Sequence, residues 1–213
     1  MEGRHVLVMA KSPAPGRVKT RLCPPCTPIE AAALAEAALA DTLGAVTRCG
    51  ADRRIVALDG PPGPWLPPGF EVIRQTDGGL DRRLAHAWNA AGGPGVQIGM
   101  DTPQVTPGLL DSALSALDAS TAALGPALDG GWWAIALRRP DPAAFLGLAM
   151  STKRTGWDQW VRLETLGHHV ALLPALVDLD RVEDLPAVIS SGAATRTALL
   201  AYRLGLVPVP ALV

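Results

Sequence analysis

Residues 5–21, HVLVMAKSPAPGRVKTR, join an apolar run directly to a basic loop. The run at 5–10 is almost continuously apolar, which is typical of a parallel strand buried on both faces. The loop has no acid, and Gly16 permits a positive φ angle. It contains four cations, Lys11, Arg17, Lys19 and Arg21. Because ligands of open α/β sheets bind beyond the carboxyl ends of the strands, we predict an anion site at this loop.

The composition of the loop favours a polyphosphate over other anions. Pro13 and Pro15 restrict the backbone, and Lys and Arg offset phosphate charge. Free backbone N–H groups would add further donors. Neither a GxxxxGK[ST] nor a GxGxxG motif is present, so the loop is not a P-loop or a dinucleotide fingerprint. The alternative is a basic loop that only faces solvent. Arg83, in a predicted helix, is open to the same two interpretations.

Downstream of the loop, helical and extended segments alternate. Thr27, with Pro28 and Glu30 after it, predicts a capped helix start. The predicted helices cover 28–48, 80–91, 107–117, 155–166, 180–189 and 195–204. The predicted strands after the first cover 55–58, 70–74, 96–99, 122–124, 132–137 and 169–173. Such alternation predicts a three-layer α/β/α sandwich around a mostly parallel sheet, here as a single domain over 1–213.

The overall composition excludes several classes of protein. The 213 residues are 48% apolar and 18% charged, which excludes a disordered chain. The net charge of −1 gives no support to whole-chain binding of nucleic acid or membrane surfaces. This near-neutral total conceals a local excess of positive charge, because residues 1–21 hold five cations and one acid. No apolar run reaches the ~18 residues of a membrane span, and none suits a secretory signal. We therefore expect a cytoplasmic protein.

Three cysteines, an odd number, do not predict a disulfide framework. Cys23 and Cys26 form a single CPPC motif, and Cys49 is distant in sequence. One CxxC pair without a second is weak evidence for zinc, and the two prolines precede a helix rather than lie within its first turn. We expect ordinary reduced thiols.

Carboxylates follow several of the predicted strands. Asp101 ends IGMD at 98–101, Asp129 begins a DGG turn, and Asp178 and Asp180 follow the last strand. Carboxylates at strand ends that face a basic loop supply the hard oxygen ligands that Mg²⁺ prefers. Each could instead be a turn residue, and Asp180 could cap the helix predicted to begin there.

Two tryptophan pairs accompany these motifs. Trp132 and Trp133 follow the DGG turn within a strand, so their side chains point to opposite faces. One is therefore expected in the core, and the other is a candidate wall for a ligand. Trp157 and Trp160 are three residues apart on a predicted helix, and we expect both to pack against the core.

Four segments together resemble a known family. They are AKSPAPGRVKTRL (10–22), IGMDTP (98–103), LGPALDGGWW (124–133) and LVDLDRVEDL (176–185). In this order they resemble DUF2064, a family of small bacterial transferases with the nucleotide-diphospho-sugar transferase (GT-A-like) fold. Some members are named as arsenosugar-biosynthesis glycosyltransferases. The KTRL segment also looks like the basic loop of 2-phospholactate guanylyltransferases, a related branch.

The resemblance implies roles for particular residues. Nucleotide phosphates would be bound by the loop and Arg83, that is by Lys11, Pro15, Gly16, Arg17, Lys19, Arg21 and Arg83. Metal would be held by Asp101 and by Asp180, which occupies the place of the metal-binding Asp in a DTPEDL-like motif, with Asp129 beside them. Asp129 would line the acceptor or metal site. Beside it we expect Gly130, Gly131, Trp132 and the loop at Ser151 and Thr152 to bind the acceptor. Lys19, Arg17 and Asp101 would be catalytic. The chain departs from the family at LDRR (80–83), where only Arg83 matches the usual LGER, and at Trp132, where Tyr is common.

We therefore expect a transferase dependent on Mg²⁺ or Mn²⁺. The favoured reaction couples a nucleoside triphosphate to a small phosphorylated acceptor and releases pyrophosphate, with no protein nucleophile. One alternative is glycosyl transfer from a nucleotide sugar, and another is a nucleotide-binding regulator without catalysis. Neither a nucleic acid nor a membrane is an expected partner, and a homodimer is left open.

Overall fold

The computed structural model describes residues 3–209, and a seven-stranded sheet lies at its centre. The strands are β1 (His5–Lys11), β2 (Arg53–Asp59), β3 (Glu71–Arg74), β4 (Gly95–Gly99), β5 (Ala122–Pro126), β6 (Trp132–Leu137) and β7 (Val170–Leu172). Their order across the sheet is β3-β2-β1-β4-β6-β5-β7. Only β6 runs antiparallel to its neighbours, β4 and β5. The predicted mostly parallel sheet is confirmed.

Helices cover both faces of this sheet. They are α1 (Pro28–Arg48), α2 (Leu80–Ala91), α3 (Pro107–Ala116), α4 (Thr155–Thr165), α5 (Leu185–Ser190) and α6 (Thr195–Arg203). One core cluster joins alternate β1 residues to α1 and α3, with Val8 packed among Leu39 and Leu110. The other joins Leu7 of β1 to α2, through Trp88. The predicted three-layer α/β/α architecture is thus confirmed.

The local sequence explains β1 and α1. Residues 5–10 are all buried, because successive β1 side chains enter the two clusters in turn. At the start of α1, the Thr27 side chain accepts a hydrogen bond from the Glu30 backbone, and the Glu30 carboxylate accepts one from the Thr27 N–H at 2.7 Å. These reciprocal bonds satisfy N–H groups that the helix itself leaves unpaired.

Two sequence-based expectations were wrong. The predicted helix at 180–189 does not begin at Asp180, because α5 starts at Leu185 after a short 3-10 turn, Val182–Asp184. The Asp184 carboxylate instead accepts hydrogen bonds from the backbone of Asp180 (2.9 Å) and Arg181 (2.6 Å), which closes a loop.

The second error concerns the tryptophans of α4. Trp160 packs against the core as predicted, whereas Trp157 is 63% exposed. The two residues are separated by three positions, close to a full turn, but the buried face of α4 is narrow and is centred on Gln159 and Leu163. The side chain of Trp157 therefore lies outside it.

A third apolar cluster fixes the basic loop to the C-terminal helices. It includes Leu22 at the end of the loop, Cys26 just after it, Leu34 from α1, and Leu179 and Leu185 from the C-terminal part. Within residues 3–209 all three cysteines are free thiols, as predicted. Burial raises the pKa of the Cys26 and Cys49 thiols, which makes them less reactive. No helix in the same range is long and apolar enough to cross a membrane.

Candidate functional site

A cavity of about 700 Å³ opens at the carboxyl ends of β1 and β4. It is lined by the basic loop, the strand ends, the DGG turn and the loop before α4. Most of the residues predicted for the site line it, namely Lys11, Arg17, Lys19, Arg21, Arg83, Asp101, Asp129, Gly131, Trp132, Ser151, Thr152 and Asp180. Pro15, Gly16 and Gly130 do not line it. The structure therefore brings together side chains that are up to 169 residues apart, from Lys11 to Asp180.

The basic loop is held in a defined conformation by its own turns. Gly16 has a φ of 73°, which confirms the need for glycine there, and Lys19 takes a left-handed φ of 50°. A 3-10 turn, Thr20–Leu22, follows, and the Leu22 N–H donates to the Lys19 carbonyl at 2.9 Å. Because Val18 and Leu22 are buried, the cations between and beside them face the cavity.

The loop cations contact the carboxylates at the strand ends. The Lys19 ammonium, whose side chain is only 7% exposed, contacts the Asp101 carboxylate and donates to the carbonyl oxygen of Leu179. Arg21 binds Asp180 at 2.7 Å, and this contact raises the pKa of the guanidinium. Residues predicted to bind phosphate are therefore paired directly with residues predicted to hold metal.

Arg83 approaches the cavity from α2. Its guanidinium Nη1 lies 3.4 Å from Asp59 Oδ2 at the end of β2, and its Nε donates to the Gly78 carbonyl at 3.0 Å. These contacts orient the side chain along the cavity wall. Arg83 is thus a positioned cation rather than a solvent-facing one.

Asp178 is a cavity residue that the sequence analysis counted among the strand-end carboxylates without giving it a particular role. Its pKa is raised to about 7 by burial and by the charges of Asp101, Asp129 and Asp180, against the lowering effect of Lys19. The group is therefore close to half-protonated near neutral pH. The only signal in the sequence was its position two residues before Asp180, after the same strand.

The DGG turn is fixed by hydrogen bonds and by close approach to the loop before α4. Asp129 Oδ1 accepts from the Gly131 N–H at 2.8 Å, and the Gly130 carbonyl accepts from the Gly156 N–H at 2.8 Å. Gly130 has a φ of 96°, and a Cβ there would collide with the carbonyl of Lys153. Glycine at 130 therefore allows the turn to approach the loop that carries Ser151.

The two tryptophans after the turn lie on opposite sides, as expected from strand alternation. Trp133 is 2% exposed, and its indole N–H donates to the Pro174 carbonyl at 2.8 Å. Trp132 is half-buried, packs at the edge of the core and lines the cavity. Its ring is available to form an apolar wall on the side of Asp129.

The donor atoms in the cavity match a hard divalent cation. Asp101 and Asp180 contribute carboxylate oxygens, which Mg²⁺ and Mn²⁺ accept. Among residues 3–209 no group of three or more His, Cys, Asp or Glu side chains is arranged to hold an ion. Mg²⁺ is commonly held by one or two carboxylates together with substrate phosphates, so the two carboxylates fit an ion that arrives with a polyphosphate.

Comparison with known proteins agrees with this architecture. Residues 31–152 match a family described as an uncharacterised protein conserved in bacteria, DUF2064, which covers more than half of the chain. No curated protein matches the sequence.

Solved structures with the same fold cover nearly the whole chain. A Desulfovibrio desulfuricans protein, provisionally assigned as a nucleotide-diphospho-sugar transferase, is 26% identical over 95% of this chain and 96% of its own, with a TM-score of 0.85. The 2-C-methyl-D-erythritol 4-phosphate cytidylyltransferase of Thermus thermophilus is 21% identical over 94% and 99%, with a TM-score of 0.52. The manganese complex of Mycobacterium tuberculosis Rv0371C is 21% identical over 88% and 98%, with a TM-score of 0.50.

Proposed function

The chain belongs to the DUF2064 family, and we propose that it is a metal-dependent nucleotidyltransferase. It would couple a nucleoside triphosphate to a small phosphorylated acceptor and release pyrophosphate. The observation that carries this proposal is the pairing of Lys19 with Asp101 and of Arg21 with Asp180 inside one cavity.

This pairing suits a ligand that carries both signs of charge. A metal–triphosphate complex presents a cation to carboxylates and anionic oxygens to ammonium and guanidinium groups. When such a ligand binds, each ion pair separates. Its carboxylate then contacts the metal ion, and its cation contacts a phosphate oxygen. The loop cations support this proposal too, since Lys11 ends β1 and the other three lie in the loop that follows it.

In the proposed complex Asp101 and Asp180 would hold the divalent ion, with Asp129 as a further carboxylate of the same cavity. The bound ion supplies neutralisation of the phosphate charge. The manganese complex of the similarly folded Rv0371C supports a divalent cation in this fold.

The chain's own residues perform the remaining steps. Lys11, Arg17 and Arg83 bind and orient the phosphates, and Lys19 offsets the charge that develops as the α-phosphate is attacked. An oxygen of the acceptor's phosphate forms a bond to the α-phosphorus, and the bond from that phosphorus to the bridging oxygen breaks, so that pyrophosphate leaves. The attacking oxygen is already ionised, and no protein base is required.

The acceptor would occupy the side of the cavity next to the DGG turn. Trp132 forms an apolar wall there, and Ser151 and Thr152 supply polar atoms. Asp129 and Gly131 complete this side, and Gly130 lets the turn approach the loop.

Glycosyl transfer from a nucleotide sugar is the second candidate. The provisional assignment of the Desulfovibrio desulfuricans protein, at 26% identity and a TM-score of 0.85, favours it. Four loop cations favour a triphosphate over the diphosphate of a nucleotide sugar. A regulator without catalysis would be favoured by metal carboxylates that point away from the loop, whereas Asp101 and Asp180 both contact it.

A thermal-shift screen separates the two transfer reactions. Nucleoside triphosphates are compared with nucleotide sugars, each with and without Mg²⁺, and a ligand at 100 times its Kd should stabilise the folded state by about 2.7 kcal/mol. We expect the largest shifts with triphosphates and Mg²⁺. A larger shift with nucleotide sugars would reverse the ranking, and pyrophosphate release would then be absent.

A further inference from the structure

The two carboxylates proposed to hold the metal lie on segments that are far apart in the sequence. Asp101 follows β4, and Asp180 belongs to the segment 177–180, which follows β7. Both side chains line the cavity. Two segments can share one ion only if they are held in a defined relative position. Whatever holds the second segment against the first therefore contributes to the ion site.

The segment 177–180, with the sequence VDLD, alternates apolar and acidic side chains. Leu179 is fully buried, Val177 is partly buried, and both pack in the third apolar cluster. Asp178 and Asp180 line the cavity instead. Alternation of this kind is typical of extended chain and leaves the backbone between the core and the cavity. Contacts of that backbone therefore decide where the two carboxylates lie.

Hydrogen bonds connect this backbone to the segment after β4 and to the basic loop. The Leu179 N–H donates to the Asp101 carbonyl at 2.8 Å, and the Leu179 carbonyl accepts from the Lys19 ammonium. A further bond comes from Gln104, whose Nε2 donates to the Val177 carbonyl at 2.6 Å. Because a carbonyl only accepts, the amide nitrogen must be the atom that faces it.

Gln104 lies behind the wall of the cavity, in the turn between β4 and α3. The Val105 N–H closes this turn by donating to the Thr102 carbonyl at 3.0 Å. Gln104 is 5% exposed and does not line the cavity. Its amide therefore reaches the acidic segment without contacting the space that a ligand would fill.

The acidic segment needs a restraint of this kind, because its charges repel those of its neighbours. Three further carboxylates act on the charge of Asp178, those of Asp101, Asp129 and Asp180. Without a metal ion, repulsion between like charges favours a wider separation of the segments. Lys19 opposes the repulsion with its own charge, but its contact with Asp101 must open when a metal–phosphate complex binds. The bond from Gln104 is neutral, and a bound ion leaves it in place.

We propose that Gln104 is a positioning residue for the metal site, because its bond to the Val177 carbonyl holds Asp180 where it can share an ion with Asp101. The inference rests on the proposed function, which assigns the ion to these two carboxylates. Groups that only orient metal ligands commonly change metal affinity about tenfold to a hundredfold. Since Gln104 acts through the backbone, we expect an effect near the lower end of that range.

Equilibrium binding of inorganic tripolyphosphate measures this role without catalysis. The full chain is titrated calorimetrically, once with excess Mg²⁺ and once with a chelator, and the ratio of the two Kd values is the metal enhancement. The wild type should show an enhancement well above tenfold. Gln104→Met keeps the length of the side chain and removes the donor, so it should lower the enhancement about tenfold. Its affinity without Mg²⁺ should stay within about twofold of the wild type, since the loop keeps its cations.

Gln159→Met is the matched control. Gln159 is also buried, its Nε2 donates to the Ala144 carbonyl at 2.8 Å, and it does not line the cavity. In both glutamines Oε1 has no hydrogen-bond partner among residues 3–209. The two variants should therefore lose similar stability in urea unfolding, while Gln159→Met keeps the wild-type enhancement.

The outcomes separate this role from the proposed function. An unchanged enhancement in Gln104→Met, or an equal loss in Gln159→Met, would overturn the positioning role and leave the proposed function intact. A wild-type enhancement near one would overturn the metal dependence of the proposed function and the role of Gln104 with it.

Hydrogen exchange of the wild type is a second test that holds even if Gln104→Met fails to fold. The Leu179 N–H is compared with that of Val8 in β1, with and without Mg²⁺ and tripolyphosphate. We expect both amides to gain similar protection, because the acidic segment is already held before the ion arrives. A much larger gain at Leu179 would show that the ion itself orders the segment and would overturn the positioning role.

Discussion

The basic loop at residues 11–22 and the acidic turn at 178–184 have opposite charge and contact each other through Arg21 and Asp180 at the edge of the cavity. The loop is fixed by local turns and by two buried apolar residues, Val18 and Leu22. The turn is fixed by the Asp184 carboxylate and by Leu179, which is fully buried. The two cations of the loop differ in accessibility, because the side chain of Lys19 is 7% exposed whereas that of Arg21 is 66% exposed. The Lys19–Asp101 pair should therefore contribute more to binding and stability than the exposed Arg21–Asp180 pair.

The largest loss of activity is expected from removal of the Asp101 carboxylate, which contacts Lys19. We expect Asp101→Ala to lower metal-dependent turnover by about a hundredfold or more, since a positioned charged group is removed from the reacting phosphates. Pyrophosphate release measured over a range of Mg²⁺ concentrations checks this. Asp118→Ala, which removes an ion-paired acid that does not line the cavity, is the control and should keep activity. Unchanged turnover in Asp101→Ala would contradict the metal assignment.

Removal of the buried cation of the loop should have the next largest effect. Lys19→Ala should weaken nucleotide binding about tenfold to a hundredfold while the chain stays folded, since a charge-assisted bond contributes ~1.5–3 kcal/mol. Calorimetric titration measures the loss. Lys153→Ala removes a lysine that does not line the cavity and should bind normally.

Lys19→Arg tests the geometry of the same position. The ammonium fits between the Asp101 carboxylate and the Leu179 carbonyl, and a planar guanidinium does not have this compact shape. We expect binding to remain weakened in this variant. Wild-type affinity would show that charge alone is required.

The acidic turn can be tested through the pH dependence of stability at Asp178. Its pKa of about 7 is above the usual 3.8, so the folded state binds more protons, and stability falls as pH rises from about 4 to 7. Asp178→Asn should remove this loss. Without divalent ions, we expect a gain of roughly 1–2 kcal/mol at pH 8, below the ~4 kcal/mol of the full shift, and little difference at pH 4. Urea unfolding at both values measures it, and a gain equal at both would contradict the shifted pKa.

The smallest expected effect is that of the exposed pair. Arg21→Ala should leave Tm within about 1 °C of the wild type, because exposed ion pairs contribute little to folding. Triphosphate affinity should fall only a few-fold, less than in Lys19→Ala. A large fall in Tm would show that this pair, and not the buried one, fixes the loop against the turn.

Much of the fold could be predicted from the sequence. Strand β6 and helix α2 have the predicted bounds, since apolar periodicity and the glycines around them are local signals. The sequence also predicted that most of the candidate residues lie together, because their motifs follow strands that end at one edge of the sheet. The assignment of 1–213 to a single domain stays a prediction, as do the roles given to the site residues.

Other features depend on contacts that no local pattern contains. The sequence offered Asp180 as a possible helix cap. In the structure the N–H groups of Asp180 and Arg181 instead donate to the Asp184 carboxylate, and no helix begins there. Gln104 lies in a turn, and its partner Val177 is 73 residues away along the chain. The exposure of Trp157 depends on how narrow the buried face of α4 is.

The sequence by itself determined a sheet covered by helices, a basic loop after the first strand and acids at the strand ends. These follow from side-chain periodicity and from where turns interrupt it, which are properties of short segments. Only the tertiary structure decided that Lys19 contacts Asp101, that Asp178 lies among three other carboxylates and that Gln104 donates to the Val177 carbonyl. The physical reason is that burial and electrostatic coupling depend on distances between segments that are far apart along the chain.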